Sequence, residues 1–172
     1  MTNIGIDIPI SELDGVFTSS LWTDKDVAFY GRIYRNERTE EGSQVIIPET
    51  FDYTNEEYVE VLLDDSHDGH CFFDVLPDNE FDGLYIANVR ILFAVNLLEL
   101  YPSAGVRATE YAHRDVKNYI DLSQFTIERL VRGATAFNDY GYISQNRQDM
   151  HPFYLFRYDT RLEYEININC YE

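Results

Sequence analysis

The chain has 172 residues, 45% apolar and 15% aromatic, with 31 acidic residues against 13 Lys and Arg and a formal net charge of −18. That length suits one well-packed domain, and the apolar content excludes wholesale disorder. The charge argues against gripping nucleic acid or an anionic membrane surface through clustered Lys and Arg; it fits solubility, a surface that must not hold DNA, or one that docks a basic partner. No run reaches the ~20 apolar residues a spanning helix needs. The opening MTNIGIDIPISELDG lacks a basic region followed by an apolar core, so a signal peptide is not expected and the chain reads as cytoplasmic. Cys71 and Cys170 are expected to be reduced and buried rather than a disulfide framework.

No internal repeat and no Pro- or Gly-rich linker divides the chain, which reads as a single domain over 1–172 with a protruding hairpin at 27–47. Residues 8–22 start as a short helix capped by Ser11, although Asp14-Gly15 favours a turn. Residues 27–35, VAFYGRIYR, read as a strand with a bulge at Gly31. The polar NERTEEGSQ forms the exposed tip, and Val45–Ile47 returns as a strand closed by Pro48. A turn at 52–55 leads to a strand over Tyr58–Leu63, then the polar loop DDSHDGH and a strand over 71–76. The turn PDNEFDG joins it to the longest apolar-rich run, Leu84–Leu98, as an antiparallel hairpin.

In that run Tyr85, Ala87, Val89, Ile91, Phe93 and Val95 share one parity, whereas Asn88, Arg90 and Asn96 fall on the other with Ile86, Leu92 and Ala94. The pattern predicts a long strand with one buried and one partly wet face; it leaves the polar parity unexplained, and a subunit interface is the preferred use for it. Val106–Ile120 changes to a helical period with Ala108, Ala112, Val116, Tyr119 and Ile120 on one face. Residues 125–132 fit strand or helix, 133–152 are irregular, and Phe153–Ile168 closes as a strand. The fold class is α+β: a mostly antiparallel sheet covered by one main amphipathic helix.

The most site-like cluster is Asp64, Asp65, His67, Asp68, His70 and Cys71. Imidazoles, carboxylates and a thiol suit a transition metal, with His67, Asp68 and His70 as the candidate ligands. Their spacing matches no ligand pattern, and a solvated loop explains the same residues. The segment from Asp78 imitates the opening of a calcium loop, but its twelfth position is Val89 in place of the bidentate Glu. His113 and Asp115 point in different directions on their helix, Ser123 and Ser144 lack a nucleophile elbow, and Gly133 and Gly141 belong to no phosphate loop. No catalytic signature and no cofactor is expected. Tyr30, Tyr34, Tyr58, Tyr85, Tyr154, Tyr158 and Tyr164 suit a half-buried sheet or a subunit interface.

The run FFDVLPDNEFDGLYIANVRILFAVNLLELYP, the helix RATEYAHRDVKNYI and the late strand YDTRLEYEININ together resemble tail-completion, tail-terminator or neck proteins of tailed bacteriophages. The acidic, Tyr- and Asn-rich style is similar to that of structural proteins of crAss-like phages. The resemblance implies a long strand pair, a helix on the sheet and a final completing strand. It also implies a homo-oligomeric ring, a hexamer or dodecamer, in the virion neck or tail, touching neighbouring connector or tail proteins, with DNA passing through without specific binding. An acidic lumen repels phosphate, which accounts for the net charge. Heterologous interfaces close such rings. Asn36, Arg38, Glu40 and Glu41 of the hairpin, with Asn88, Arg90 and Asn96, are the expected interface residues. Deleting 37–43 is expected to spare the fold and impair ring stacking. The alternatives are a small metal-dependent enzyme built on His67 and His70, or an acidic inhibitor that mimics DNA.

Overall fold

The structure, a computed structural model, describes residues 5–40, 42–77, 79–81, 84–140 and 152–165. Helix α1 (Asp7–Ser20) precedes β1 (Val27–Arg32), β2 (Tyr34–Glu40), β3 (Ser43–Asp52) and β4 (Glu57–Glu60). Then come β5 (Gly69–Val75), the short β6 (Asn79–Phe81) and the long β7 (Leu84–Asn96), followed by the single turn α2 (Leu97–Leu100). Helix α3 (Ala108–Asp121), β8 (Thr126–Arg132) and β9 (Phe153–Glu165) complete the described elements, with 3-10 turns at Gly105–Arg107 and Ala134–Phe137.

The strands form a six-stranded sheet in the order β1-β5-β7-β9-β8, with β6 on β7, and a three-stranded sheet in the order β2-β3-β4. Only β1 and β5 pair in parallel; every other described pair is antiparallel. The fold is therefore α+β and mostly antiparallel, as its sequence pattern predicts. β5 and β7 pair antiparallel as expected, but the segment read as their turn holds the short strand β6, which pairs with Leu84–Ile86; β7 is the centre of the sheet, paired with β9 along its whole length from Leu84 to Asn96.

Both faces of β7 are buried over Ile91–Val95, which corrects the expectation of a wet parity there. Ala87, Val89, Ile91, Phe93 and Val95 face the helices, while Leu92 and Ala94 join a second core with Ile33, Val61, Phe72, Phe137, Tyr140 and Leu155. An uninterrupted apolar run such as ILFAV is the signature of a strand covered on both sides. The polar parity survives only at the ends, where Asn88 is exposed and Arg90 and Asn96 are half-buried.

Two helices of 14 residues cover the first face, not one. In α3 the buried residues Ala108, Ala112, Val116 and Ile120 recur every fourth position, as the helical period predicts. Helix α1 runs unbroken through Asp14-Gly15, and Ser11 lies inside it, not at its cap. Its stripe of Ile10, Leu13 and Phe17 is fully buried, with Phe17 among the rings of Phe29, Phe73, Phe93 and Tyr119 at 5.9–6.4 Å. Burying a residue such as Phe17 is worth about 2–3 kcal/mol, which outweighs the cost of about 1 kcal/mol for a helical Gly.

The hairpin is also built differently from the expectation. The stretch 27–35 divides at the buried Ile33: β1 pairs with β5, and only β2 pairs with β3. The β1–β5 register shifts between Phe29 and Arg32, where Gly31 takes a φ of +63°, so the glycine does mark a bulge. The expected tip is mostly strand, with rungs from Tyr34–Glu49 to Glu40–Ser43. Deleting 37–43 would therefore remove four rungs of the ladder and not merely a loop. Pro48 lies within β3, opposite Arg35. Its carbonyl accepts from Val61 N at 2.8 Å, so its missing N–H faces that side, past the last β4 rung at Glu60, and leaves the β2–β3 ladder intact.

Residues 126–132, ambiguous in sequence, form the edge strand β8, whose Glu128, Arg129 and Arg132 are the charged residues that edges tolerate. Ser144, Gly141, His151 and Cys170 lie outside the described residues.

Candidate functional site

The cluster at 64–71 is divided by the start of β5. His70, in that strand and 1% exposed, uses both ring nitrogens: Nε2 donates to the Asp64 carbonyl at 2.9 Å, and Nδ1 shares a hydrogen bond with the Tyr30 hydroxyl at 3.0 Å. Cys71, the next residue, points to the opposite, helix-side core, where burial pushes its thiol well up. His67 Nδ1 lies 3.1 Å from Asp26 Oδ1, and Asp68 Oδ2 accepts from the Asp26 amide at 3.0 Å. The Ser66 hydroxyl and amide hold the exposed Asp64 carboxyl below its usual range. His67, Asp68 and His70 thus tie the loop to β1 and to the strand below. Among the described residues no group of three or more His, Cys, Asp or Glu is arranged to hold a metal.

The expected interface residues have separate fates. Asn36 Nδ2 and Arg38 Nη2 both donate to Glu49 Oε1, at 2.7 and 2.6 Å, across the β2–β3 ladder. Glu40 ends β2 opposite Ser43, and Glu41 lies outside the described residues. Asn88 is exposed, opposite Arg161 of β9. Arg90 donates to Asp139 and sits 3.8 Å from the fully buried Asp74, which it faces across the β5–β7 pair. Arg35 completes this network, 3.9 Å from Asp74 and 3.1 Å from Asp139. Both guanidiniums hold the Asp139 carboxyl below its usual range against its own burial. Asn96 Oδ1 accepts from Leu98 N at 3.1 Å and caps α2. His113 and Asp115, expected not to form a dyad, have different partners: Tyr154 meets His113 Nε2 at 3.0 Å, and Tyr101 donates to Asp115 at 2.7 Å.

A surface that sequence reasoning did not assemble lies on the three-stranded sheet. Tyr34 opens β2, Phe51 and Tyr58 face each other across β3 and β4, and Tyr53 follows in the turn. Their rings meet edge to face, at 4.9 Å for Tyr34–Tyr58, 5.1 Å for Phe51–Tyr58 and 5.0 Å for Phe51–Tyr53. Tyr34, Tyr53 and Tyr58 are nonetheless 43%, 68% and 53% exposed. Among the described residues neither outer strand of the sheet, β2 or β4, pairs with a further strand.

Between this sheet and α1 runs a groove of about 340 Å³, lined by Asp7, Asp14, Arg32, Tyr34, Phe51 and Tyr53 among others. Arg32 pairs with Asp7 at 2.8 Å. Asp14 lies over Gly31, its Oδ1 shielded from water and without a hydrogen-bond partner. Burial pushes its carboxyl up to about 6 against the opposing effect of the Gly31 amide. The signals for this site were a carboxylate on the apolar stripe of α1 and the density of Tyr and Phe in 51–58; the site itself requires the tertiary fold.

No protein-family model matches the chain, and no curated protein or solved structure matches it. No helix among the described residues is long and apolar enough to cross a membrane.

Proposed function

We propose that the chain is a structural virion protein of a tailed bacteriophage that forms a homo-oligomeric ring at the head–tail joint or in the tail. The ring surrounds the DNA channel and joins neighbouring rings, and the chain is not an enzyme. The observation that carries this reading is the exposed aromatic face of the three-stranded sheet. Contiguous Tyr and Phe on an otherwise strongly acidic surface are what an association patch requires, because large rings bury much area at little entropic cost. Two further features support it. The order of a long strand pair β5–β7, helix α3 on the sheet and late strand β9 is the order the phage resemblance implies. The net charge of −18 suits a channel through which DNA slides without sticking.

Negative-stain electron microscopy of the purified protein tests the reading. The expected images are annular particles with a central channel, and the expected result of a duplex-DNA titration at low salt is no retained complex. Compact particles without a channel, or tight DNA binding, would contradict it.

A further inference from the structure

The groove between α1 and the three-stranded sheet offers more anionic and aromatic character than the chain itself uses. Asp7 is matched by Arg32, but among the described residues Asp14 has no cation partner and its Oδ1 has no hydrogen-bond donor. The rings of Phe51 and Tyr53 stand beside it, while Tyr34 already carries the Arg32 guanidinium over its face at 5.7 Å, and ring faces attract cations. A guanidinium suits such a place best, since it is planar, stacks on rings and offers several donors to a carboxylate.

The chain has one to spare. With 13 Lys and Arg against 31 acidic residues, cations are scarce, and nearly every described one is committed to a carboxylate. Arg107 is the exception: it is exposed, sits in the 3-10 turn that leads into α3, and makes no side-chain ion pair or hydrogen bond with any described residue.

Arg107 cannot reach its own groove. Helices α1 and α3 run antiparallel, with Gln124 meeting Glu12 at 3.3 Å, Tyr119 meeting the Ser20 carbonyl at 3.0 Å, and Asp115 bound through Tyr101 to Trp22. The start of α3 therefore projects beyond the end of α1, while the groove lies beside its first half. At 1.5 Å per helical residue the two sites are ~20 Å apart along the helix axes, far beyond the reach of one side chain.

We propose that the groove of each copy receives the Arg107 guanidinium of the next copy, against Asp14 and the rings of Phe51 and Tyr53. A knob and a socket at opposite ends of one layer make a heterologous contact, the kind that closes a ring. This rests on the ring reading above and names the chemistry of its interface.

Two variants test it, with folding checked by circular dichroism: Arg107→Glu, at an exposed turn, and Tyr53→Lys, at the most exposed ring of the groove. Native mass spectrometry should show each variant alone with its association weakened at least tenfold relative to the wild-type ring. Each retains one intact partner surface, so an equimolar mixture should give a species containing one chain of each variant. Wild-type-like rings from either variant, or no mixed species, would overturn the pairing while leaving the ring reading standing. A wild-type chain that is monomeric throughout would overturn both.

Discussion

Asp14 and His113 pull the pH dependence of stability in opposite directions. Asp14 has a folded-state pKa of about 6 against an ordinary value of 3.8, so its contribution is fully present below the unfolded value and lost as pH rises through 6. Replacing it with Asn should stabilise the chain at pH 7.5 by about 1–2 kcal/mol, after discounting for its partial exposure, and change little at acid pH. Urea unfolding at both pH values checks this; equal stability at pH 7.5 would show that the carboxylate is not strained. His113 is depressed to about 4, chiefly by burial and then by Arg132, so its contribution holds above the unfolded value near 6.5 and is lost as pH falls towards 4. His113→Gln should flatten that acid limb by up to about 3 kcal/mol, and an unchanged limb would contradict the assignment. Neither group was legible in sequence as strained. Asp14 reads as half of an Asp-Gly turn until Phe17 and Leu13 are seen to hold α1 together, and the burial of His113 depends on β9, about forty residues away.

At the scale of elements, the pairs that join strands are the testable part. Asp74 of β5 is fully buried between Arg35 of β2 and Arg90 of β7, and Tyr140 packs beside it with its hydroxyl pushed up by burial and then by that charge. Asp74→Ala removes the buried charge that Arg35 and Arg90 share while leaving them Asp139, and should cost about 1–3 kcal/mol in chemical denaturation. A loss below about 1 kcal/mol would mean that Asp139 alone satisfies them. In α1, a methyl group added at Gly15 would meet open space, and the glycine has helical neighbours on both sides, so Gly15→Ala should stabilise by about 1 kcal/mol, seen as a rise in melting temperature. Elements with a strong local pattern were legible: β7 from its apolar run, α3 from its fourfold period, and the antiparallel pairing of β5 with β7, although the turn read between them holds β6. The split of 27–35 into two strands in two sheets was not, because the turning point at Ile33 is apolar and carries no turn residue. The Arg90 network was equally hidden, since its partners lie 16 and 49 residues away in sequence, at Asp74 and Asp139.

For the whole molecule, the arrangement divides into a body and a platform. The six-stranded sheet is covered by α1 and α3 on one face and by the second core on the other, whereas the three-stranded sheet exposes Tyr34, Tyr53 and Tyr58 around a half-buried Phe51. A subunit that buries its chemistry-bearing side chains in structural contacts and exposes aromatics is suited to assembly. The sequence pattern pointed to association through charge and tyrosine content, but it placed the contact on the polar parity of β7 and on the hairpin tip. In the folded chain Arg90 and Asn96 are spent on internal contacts, and the exposed rings come together only when β2, β3 and β4 pair. The most direct test of assembly is native mass spectrometry of the wild-type protein across a concentration series. The account predicts a discrete species at a fixed whole-number multiple of the 20.2 kDa chain that persists on dilution. A mass of 20.2 kDa at every concentration would contradict it.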